Sequence, residues 1–267
     1  MFSSRGISKF FLISFILLFC GFNSIGNIVV LNGLTHEDNA IPGETYRTQI
    51  EVHNMSDEAK SVKIYSRDYF YSHTGETRHD APGTMERSNA NWITYQPELL
   101  NLGPDEKAVV NVEVQVPENK ELSGSYWSVI MVEGVVPPDT SNTVGVSIRT
   151  AIRYAVQVIT NVGSEGVRDL TFQGLELSEN EDENMISVVL QNSGEVLLKP
   201  EMSLELFDEE GNSVATFKAD KRKTLPGTSI KITIQLEGIK PGVYTGVLIA
   251  DCGEDSIYGT NVSFELL

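Results

Sequence analysis

The chain has 267 residues, enough for two ordinary domains that each bury a hydrophobic core. Acidic residues outnumber basic residues by 37 to 20, and this net charge of −17 argues against nucleic acid or an anionic lipid surface as a partner. A strongly acidic surface instead keeps a domain soluble until a specific partner docks.

The N-terminus has the pattern of a secretory signal peptide. Arg5 and Lys9 precede an apolar run, and the small residues Ser24 and Gly26 follow it. We expect residues 1 to 26 to be this peptide, because an apolar run of roughly 13 residues is too short to cross a bilayer. The alternative is a retained membrane anchor. Cleavage would remove two cations and no acids, so the net charge would become −19.

Cleavage would also leave Cys252 as the remaining cysteine, so no internal disulfide could form. The stability of the chain must then come from packing. We expect the thiol in LIADCGED to be a small buried apolar group, with a reactive thiol as the alternative.

Short runs of alternating apolar and polar residues recur along the chain, separated by Gly, Pro, Asn and Asp. This period of two, without a helical period, predicts an all-β protein. The first half carries TYRTQIEVHN, KSVKIYSRDY, AVVNVEVQV, YWSVIMVEG and NTVGVSIRTAIRYAVQVIT. After the turn-rich NVGSEG, the second half carries LTFQGLEL, MISVVLQN, EMSLELFD, SVATFKA, SIKITIQL, VYTGVLIA and NVSFEL. Seven strands over about 100 residues are typical of an immunoglobulin-like sandwich.

The two halves also share an order of features. In each half an apolar strand ends at an Asn, either Asn54 or Asn192, and a Leu beside Gly and Pro then precedes an alternating strand. A Gly-x-Tyr follows, at Tyr126 or Tyr244, where a tyrosine corner would fix the loop before strand F. The repeat predicts two tandem immunoglobulin-like domains.

We place the domains at residues 27–162 and 163–267. The interval from the Asn to the Leu is 48 residues in the first half and 33 in the second. This difference predicts an insertion in the first domain, within residues 66–97.

Motifs for catalysis and metal binding are missing from the sequence. It contains no G-x-S-x-G, no H-E-x-x-H and no phosphate-binding glycine loop. His73, His79 and Asp80 lie in the insertion, but a six-residue spacing between histidines fits no standard zinc motif. The acidic run SENEDEN lacks the ligand spacing of a calcium loop, and FDEEGN is typical of a hairpin turn. We therefore predict a binding or structural protein rather than an enzyme, with no cofactor and no metal.

Three motifs occur in order between residues 92 and 160: WITYQPELLNLGPDEKAVVNVEV, then GSYWSVIMVEG, then VGVSIRTAIRYAVQV. Their order resembles that of the first domain of the periplasmic pilus-assembly chaperones, the PapD-like family. The resemblance covers about 70 residues. It implies two immunoglobulin-like domains set at an angle.

The resemblance also implies a binding mode. In the family, alternate apolar side chains of one strand complete an unfinished sandwich in a client subunit by strand addition. Val144, Val146 and Ile148 are those side chains here, and Arg153 matches the cation that anchors the client's terminal carboxylate. Arg149 is adjacent on the same strand. The family's second anchoring cation, an arginine early in the first strand, has no counterpart in NIVVLNGLTHEDNAIPG.

Two functions remain open. The first is a non-enzymatic extracytoplasmic protein, periplasmic by analogy, that binds a secreted or surface subunit and delivers it to outer-membrane assembly machinery. It predicts an unpaired strand at residues 143–149, with Arg153 in the cleft between the domains. The second is a structural or adhesive surface module that acts as a spacer or scaffold. In that case Val144, Val146 and Ile148 face the domain's own core, and Arg153 is a solvated cation.

Overall fold

The computed structural model describes residues 28–136, 151–179, 184–253 and 256–267. Within these ranges the regular structure consists of β-strands and one short 3₁₀ turn, Ala90–Trp92. No helix in the described part of the chain is long and apolar enough to span a membrane.

The first half of the chain forms two facing sheets. The strands are β1 (Ile28–Val30), β2 (Thr35–Ala40), β3 (Thr45–Asn54), β4 (Lys60–Arg67), β5 (Phe70–Tyr71), β6 (Thr77–Arg78), β7 (Ile93–Gln96), β8 (Leu99–Leu102), β9 (Lys107–Gln115), β10 (Gly124–Gly134) and β11 (Arg153–Val162). One sheet has the order β1-β3-β9-β7 and the other has the order β2-β11-β10-β4-β8. β2 runs parallel to β11, and the other neighbouring pairs in these two sheets are antiparallel.

The core of the first domain follows from the alternation that the sequence shows. Successive side chains of a strand point to opposite faces, so every second residue is directed between the two sheets. Ile50 of β3, Val112 of β9 and Val158 of β11 are fully buried there. β10 differs because both of its faces are buried for most of its length. Its second face therefore packs against something outside the first domain's own core.

The second half of the chain forms another two-sheet sandwich. Its strands are β12 (Leu170–Glu179), β13 (Asn184–Asn192), β14 (Glu201–Phe207), β15 (Ser213–Ala219), β16 (Ser229–Gln235), β17 (Gly242–Asp251) and β18 (Ile257–Leu266). Their order is β12-β13-β16 in one sheet and β15-β14-β17-β18 in the other. The core between them contains Ile186, Met202, Leu204 and Leu248, all fully buried.

These two sandwiches confirm the predicted all-β class and the two immunoglobulin-like domains. The predicted hairpin at FDEEGN is also confirmed, because the N–H of Asp208 donates to the carbonyl of Asn212 at 3.0 Å between β14 and β15. The Tyr244 hydroxyl donates to the Lys240 carbonyl at 2.9 Å, which is the contact of a tyrosine corner. The Tyr126 ring packs against Trp92, with ring centroids 4.7 Å apart and the ring planes tilted by 43°.

The internal repeat has a structural basis in two buried asparagines. The Asn54 amide nitrogen donates to the carbonyls of Glu58 at 2.7 Å and Gly103 at 2.8 Å. The Asn192 amide nitrogen makes the matching bonds to Val196 at 2.8 Å and Thr224 at 2.9 Å. In both cases the side-chain oxygen accepts an N–H from two residues further on. Each Asn therefore links the turn that follows it to a second loop. This second loop precedes β9 in the first domain and β16 in the second.

Cys252 is half-buried against the core of the second domain. Burial, with a smaller contribution from Asp251, raises the pKa of its thiol to about 11. The thiol therefore stays protonated at neutral pH and packs as a small apolar group.

We expect Asn54→Ala and Asn192→Ala each to lower the free energy of unfolding by about 2–4 kcal/mol, because each leaves several buried backbone groups without partners. Urea unfolding measures the loss. The exposed Asn111 provides the control, and Asn111→Ala should change stability by less than about 1 kcal/mol. Equal effects at all three positions would contradict the structural role of the two buried asparagines.

Candidate binding edge and interdomain cleft

β11 is hydrogen bonded on both sides along only part of its length. β10 pairs with it from Arg153 to Val162. On the other side, β2 pairs with it only from Gln157 to Val162. Among the described residues, no strand pairs with 153–156 on that side. The first four of the ten residues of β11 therefore form an open sheet edge.

The direction of the backbone groups at this edge follows from two hydrogen bonds. The Gln157 N–H donates to the Leu34 carbonyl at 2.9 Å, on the β2 side. The Ile152 carbonyl accepts from Gly134 at 3.2 Å, on the β10 side. Because backbone groups of a strand alternate between its two sides, the N–H and C=O of Arg153 and Ala155 point to the open side. These groups are available to an added strand.

The predicted client-binding residues Val144, Val146, Ile148 and Arg149 lie outside the described residues, as does the signal peptide at 1–26. The described part of β11 begins shortly after them, at Arg153.

Arg153 lies at the start of the open edge, and its side chain is 54% exposed. Its Nη2 donates to Glu133 of β10 at 2.9 Å. The other oxygen of the same carboxylate accepts the Tyr65 hydroxyl at 2.5 Å. The hydrogen bonds from Tyr65 and Arg153 hold the pKa of Glu133 below its usual value. Arg153 is therefore a positioned cation rather than a freely solvated one.

Arg153 faces the same side of β11 as the residues that line the cleft between the domains. Side chains two apart share a face, so Arg153 shares its face with Gln157 and Ile159. We call this space the interdomain cleft; its volume is about 500 Å³. Its lining includes Tyr69, Tyr71, Gln157 and Ile159 from the first domain, and Arg222 and Lys223 from the second. Gln157 is four residues from Arg153, about 13 Å along a strand.

A buried apolar cluster joins the two domains behind the interdomain cleft. Trp127 and Ile159, opposite each other on β10 and β11, pack against Leu197 and Leu225 of the second domain. All four side chains are buried. This cluster accounts for the burial of the second face of β10.

Backbone hydrogen bonds cross the same junction. The Ser125 N–H donates to the Glu195 carbonyl at 2.8 Å, and the Leu197 N–H donates to the Ser125 hydroxyl at 2.7 Å. Arg87 forms an ion pair with the Glu195 side chain at 2.9 Å. The neighbouring Gly124 has φ +81°, and a Cβ there would lie 2.3 Å from the Glu195 carbonyl oxygen. The close approach of the domains therefore requires glycine at this position.

One carboxylate of the first domain binds two lysines of the second. Glu37 of β2 accepts from Lys199 and from Lys223, each at 2.9 Å, and its side chain is 23% exposed. Burial acts to raise the pKa of Glu37, but the hydrogen bonds and attraction from the two lysines outweigh burial and hold that pKa below its ordinary value of 4.5.

Residues of the predicted insertion also contact the second domain. The Tyr71 hydroxyl donates to the Lys223 carbonyl at 3.2 Å and accepts the Leu225 N–H at 3.3 Å. The His73 N–H donates to the Ser229 hydroxyl at 3.1 Å. Tyr71 and His73 therefore help to hold the domains together, a role that the sequence did not indicate.

A buried carboxylate, Asp68, organises the loop that follows β6. Its oxygens accept the N–H groups of Gly83 at 3.0 Å and of Thr84 and Met85 at 2.7 Å, together with the Ser88 hydroxyl at 2.5 Å. These bonds replace the water that a buried charge would otherwise need. They also fix Met85, which packs against the apolar cluster between the domains.

The three side chains considered as metal ligands have separate partners. His73 is bonded across the domain interface, the His79 ring packs on Tyr69 with centroids 5.4 Å apart, and Asp80 pairs with Arg78 at 3.4 Å. In the described ranges, no group of three His, Cys, Asp or Glu side chains is arranged to hold a metal ion.

Two signals in the sequence could have indicated the interface. Leu197 and Leu198 are adjacent and both buried. Because neighbouring side chains of an extended segment point in opposite directions, one of the two had to face something other than its own core. The near-continuous apolar run of β10 likewise indicated a strand covered on both faces.

No protein-family model matches the sequence, and the search of curated proteins finds no match. Solved structures do match. A chain of a chaperone–tip adhesin complex of CFA/I fimbriae biogenesis is 15% identical, with a TM-score of 0.48, covering 89% of this chain and 98% of that chain. The class 5 fimbriae chaperone CfaA is 14% identical, with a TM-score of 0.46, covering 90% and 99%. The E. coli chaperone DraB is 12% identical, with a TM-score of 0.43, covering 91% and 98%. Each of these three structures contains a fimbrial or E. coli chaperone.

We expect Gly124→Ala to separate the unfolding of the two domains, because the added Cβ would displace the Glu195 carbonyl. Gly75→Ala is the matched control: Gly75 has φ +86°, but its Cβ position is open. The backbone strain of about 1–2 kcal/mol is common to both variants. Calorimetry should show a larger loss and two transitions only for Gly124→Ala. Indistinguishable thermograms would contradict the proposed close contact.

We expect Glu37→Gln to lower the melting temperature at neutral pH. The Glu37 pKa is lowered in the folded state, so its ion pairs contribute fully above pH 4.5 and are lost as the pH falls through the lower folded-state pKa. The difference in melting temperature from the wild type should therefore shrink towards zero in strong acid. Glu113→Gln removes an exposed pair with Arg47 and should change the melting temperature little at any pH. A Glu37→Gln difference that does not depend on pH would be inconsistent with this assignment.

Proposed function

We propose that the protein is a non-enzymatic, extracytoplasmic chaperone-like protein that binds a secreted or surface subunit by β-strand addition. The observation that carries this proposal is the open edge of β11 from residue 153 to 156, next to a segment that is fully paired. A client strand added there would continue the sheet of β11 and β10. Its backbone would supply the groups that the edge lacks, which gives affinity without a strict sequence requirement.

The apolar residues predicted from the sequence fit this mode. Val144, Val146 and Ile148 recur with a period of two in the segment just before β11, so they would enter successive pockets of a client. Because side chains two apart share a face of a strand, the three would lie on one face of an extended segment.

Arg153 is the proposed anchor for the carboxylate at the end of the client, with Arg149 as a second candidate. A guanidinium carries five N–H donors, and the Arg153 side chain is 54% exposed. Its ion pair with Glu133 orients it and leaves donors for a second carboxylate. The anchor and the open backbone edge are contiguous, so one extended peptide reaches both.

The remaining features agree with a binding protein that acts outside the cytoplasm. The predicted signal peptide implies export to the periplasm or a similar compartment. The net charge of −17 disfavours nucleic acid as a partner. We therefore propose a protein subunit as the partner, with outer-membrane assembly machinery as a further one, and no cofactor or small-molecule substrate.

We expect Ala155→Pro to weaken client binding by about tenfold or more, because it removes an outward N–H and places a ring where the added strand must lie. The fold should survive, since proline is tolerated on an edge strand where the N–H faces solvent. Ala155→Ser keeps the N–H and is the control. Binding is measured with the partner that the wild-type protein captures from an envelope extract. Unchanged binding by a folded Ala155→Pro variant would exclude strand addition here and favour the scaffold alternative.

A second variant tests the role of the apolar side chains in the proposed binding mode. Val146→Asp should also abolish capture while circular dichroism remains that of the wild type. If the variant unfolds instead, Val146 belongs to the domain's own core, which would favour the scaffold alternative. Burying a charge in that core would cost about 2–5 kcal/mol, a large share of the stability of a small domain.

A further inference from the structure

The edge strands of the four large sheets differ in how well they are protected against pairing with another chain. Proteins commonly protect an edge by keeping the strand short, by a bulge or by charged side chains. In the described parts of the chain the edge strands are β1, β7, β2, β8, β12, β16, β15 and β18. Seven of these are short, irregular or charged in the central part of the strand.

Three of the seven, β1, β7 and β8, are only three or four residues long. β12 and β15 each have an irregularity in their pairing, and they carry Glu176 and Lys218. β2 contains Glu37, and β16 contains Lys231, whose carbonyl accepts the Arg222 guanidinium at 2.7 Å.

β18 is neither short nor irregular, and its one charged side chain, Glu265, is next to its C-terminal end. It is ten residues long and pairs with β17 over its whole length, without a shift in register. Its sequence is IYGTNVSFEL, so the eight residues from Ile257 to Phe264 carry no charge and no proline. Within the described ranges, no strand pairs with its outer side. A long, regular edge with eight consecutive uncharged residues is a template for another strand.

We propose that β18 pairs with β18 of a second copy of this chain, antiparallel and about a two-fold axis. This proposal is independent of client binding at β11, which lies in the other domain. A two-fold axis perpendicular to the sheet keeps the same face of β18 on the same side in both copies. Odd-numbered residues must therefore lie opposite odd-numbered residues of the second copy, and even-numbered residues opposite even-numbered ones.

We propose the register with favourable pairs across the two strands. With Asn261 on the axis, Tyr258 lies opposite Phe264 and Thr260 lies opposite Val262 of the second copy. Aromatic and β-branched cross-strand pairs of this kind stabilise an antiparallel sheet. Tyr258, Val262 and Phe264 are partly buried against the core, so these pairs would extend its apolar side. The two Asn261 amides would meet on the exposed face.

The charges are compatible with this register. Glu265 lies opposite Ile257, and the two Glu265 side chains are eight residues apart, about 27 Å along the strands. This separation exceeds the Debye length of about 8 Å at physiological salt, so their repulsion is screened. The net charge of −17 on each copy still opposes association at low salt. Dimerisation should therefore strengthen as salt is added.

Sedimentation equilibrium of the purified full chain, over a range of protein and salt concentrations, tests the proposal. The wild type should show a monomer–dimer equilibrium that shifts towards dimer with salt. Asn261→Lys places two like charges face to face on the axis, and the dissociation constant of the dimer should rise about tenfold or more. Thr216→Lys adds the same charge to an exposed residue of β15, on the opposite edge of the same sheet, and should leave the constant unchanged.

Two results would overturn the proposal: a wild type that remains monomeric at every concentration and salt, or a dimer equally strong in Asn261→Lys. If circular dichroism shows that Asn261→Lys is unfolded, Asn261→Asp replaces it, because it also places two like charges opposite each other on the axis. Retention of an equally strong dimer by folded Asn261→Asp would likewise overturn the assignment.

Discussion

The unequal pairing of β11 is the constraint on which the proposed activity depends. From Gln157 onward the strand is hydrogen bonded on both sides, and before Gln157 its one neighbour among the described residues is β10. The backbone groups of a strand need partners, so an unpaired stretch must be satisfied by water or by another chain. The position of this change is set by β2, which begins at Thr35, directly opposite Gln157.

β2 has a second role, because it also carries Glu37, which binds Lys199 and Lys223 of the second domain. One short strand therefore both ends the open edge and holds the second domain beside it. The apolar cluster behind the interdomain cleft and the hydrogen bonds at Ser125 also hold the two domains together. The cleft is thus a fixed part of the fold, with Arg153 on the face of β11 that leads into it.

The alternating runs predicted all seven strands of the second domain, and the paired Asn and Tyr motifs predicted the repeat. β2 was missed because its sequence, THEDNA, is rich in charged and turn-forming residues. Its strand conformation comes from parallel pairing with a distant segment, which no local pattern encodes. The contacts of Tyr71 and His73 were missed for the same reason. Arg153 was identified only through the resemblance to a known family, and its ion pair with Glu133 required the structure.

Amide hydrogen exchange along β11, followed by NMR in the absence of any partner, tests the central claim most directly. The Tyr154 amide points to β10 and the Gln157 amide is bonded to Leu34, so both should be protected. The Ala155 amide, which lies between them in the chain, points to the open side and should exchange much faster. If the Ala155 amide were protected as strongly as those of Tyr154 and Gln157, the edge would already be paired, and this result would contradict the account.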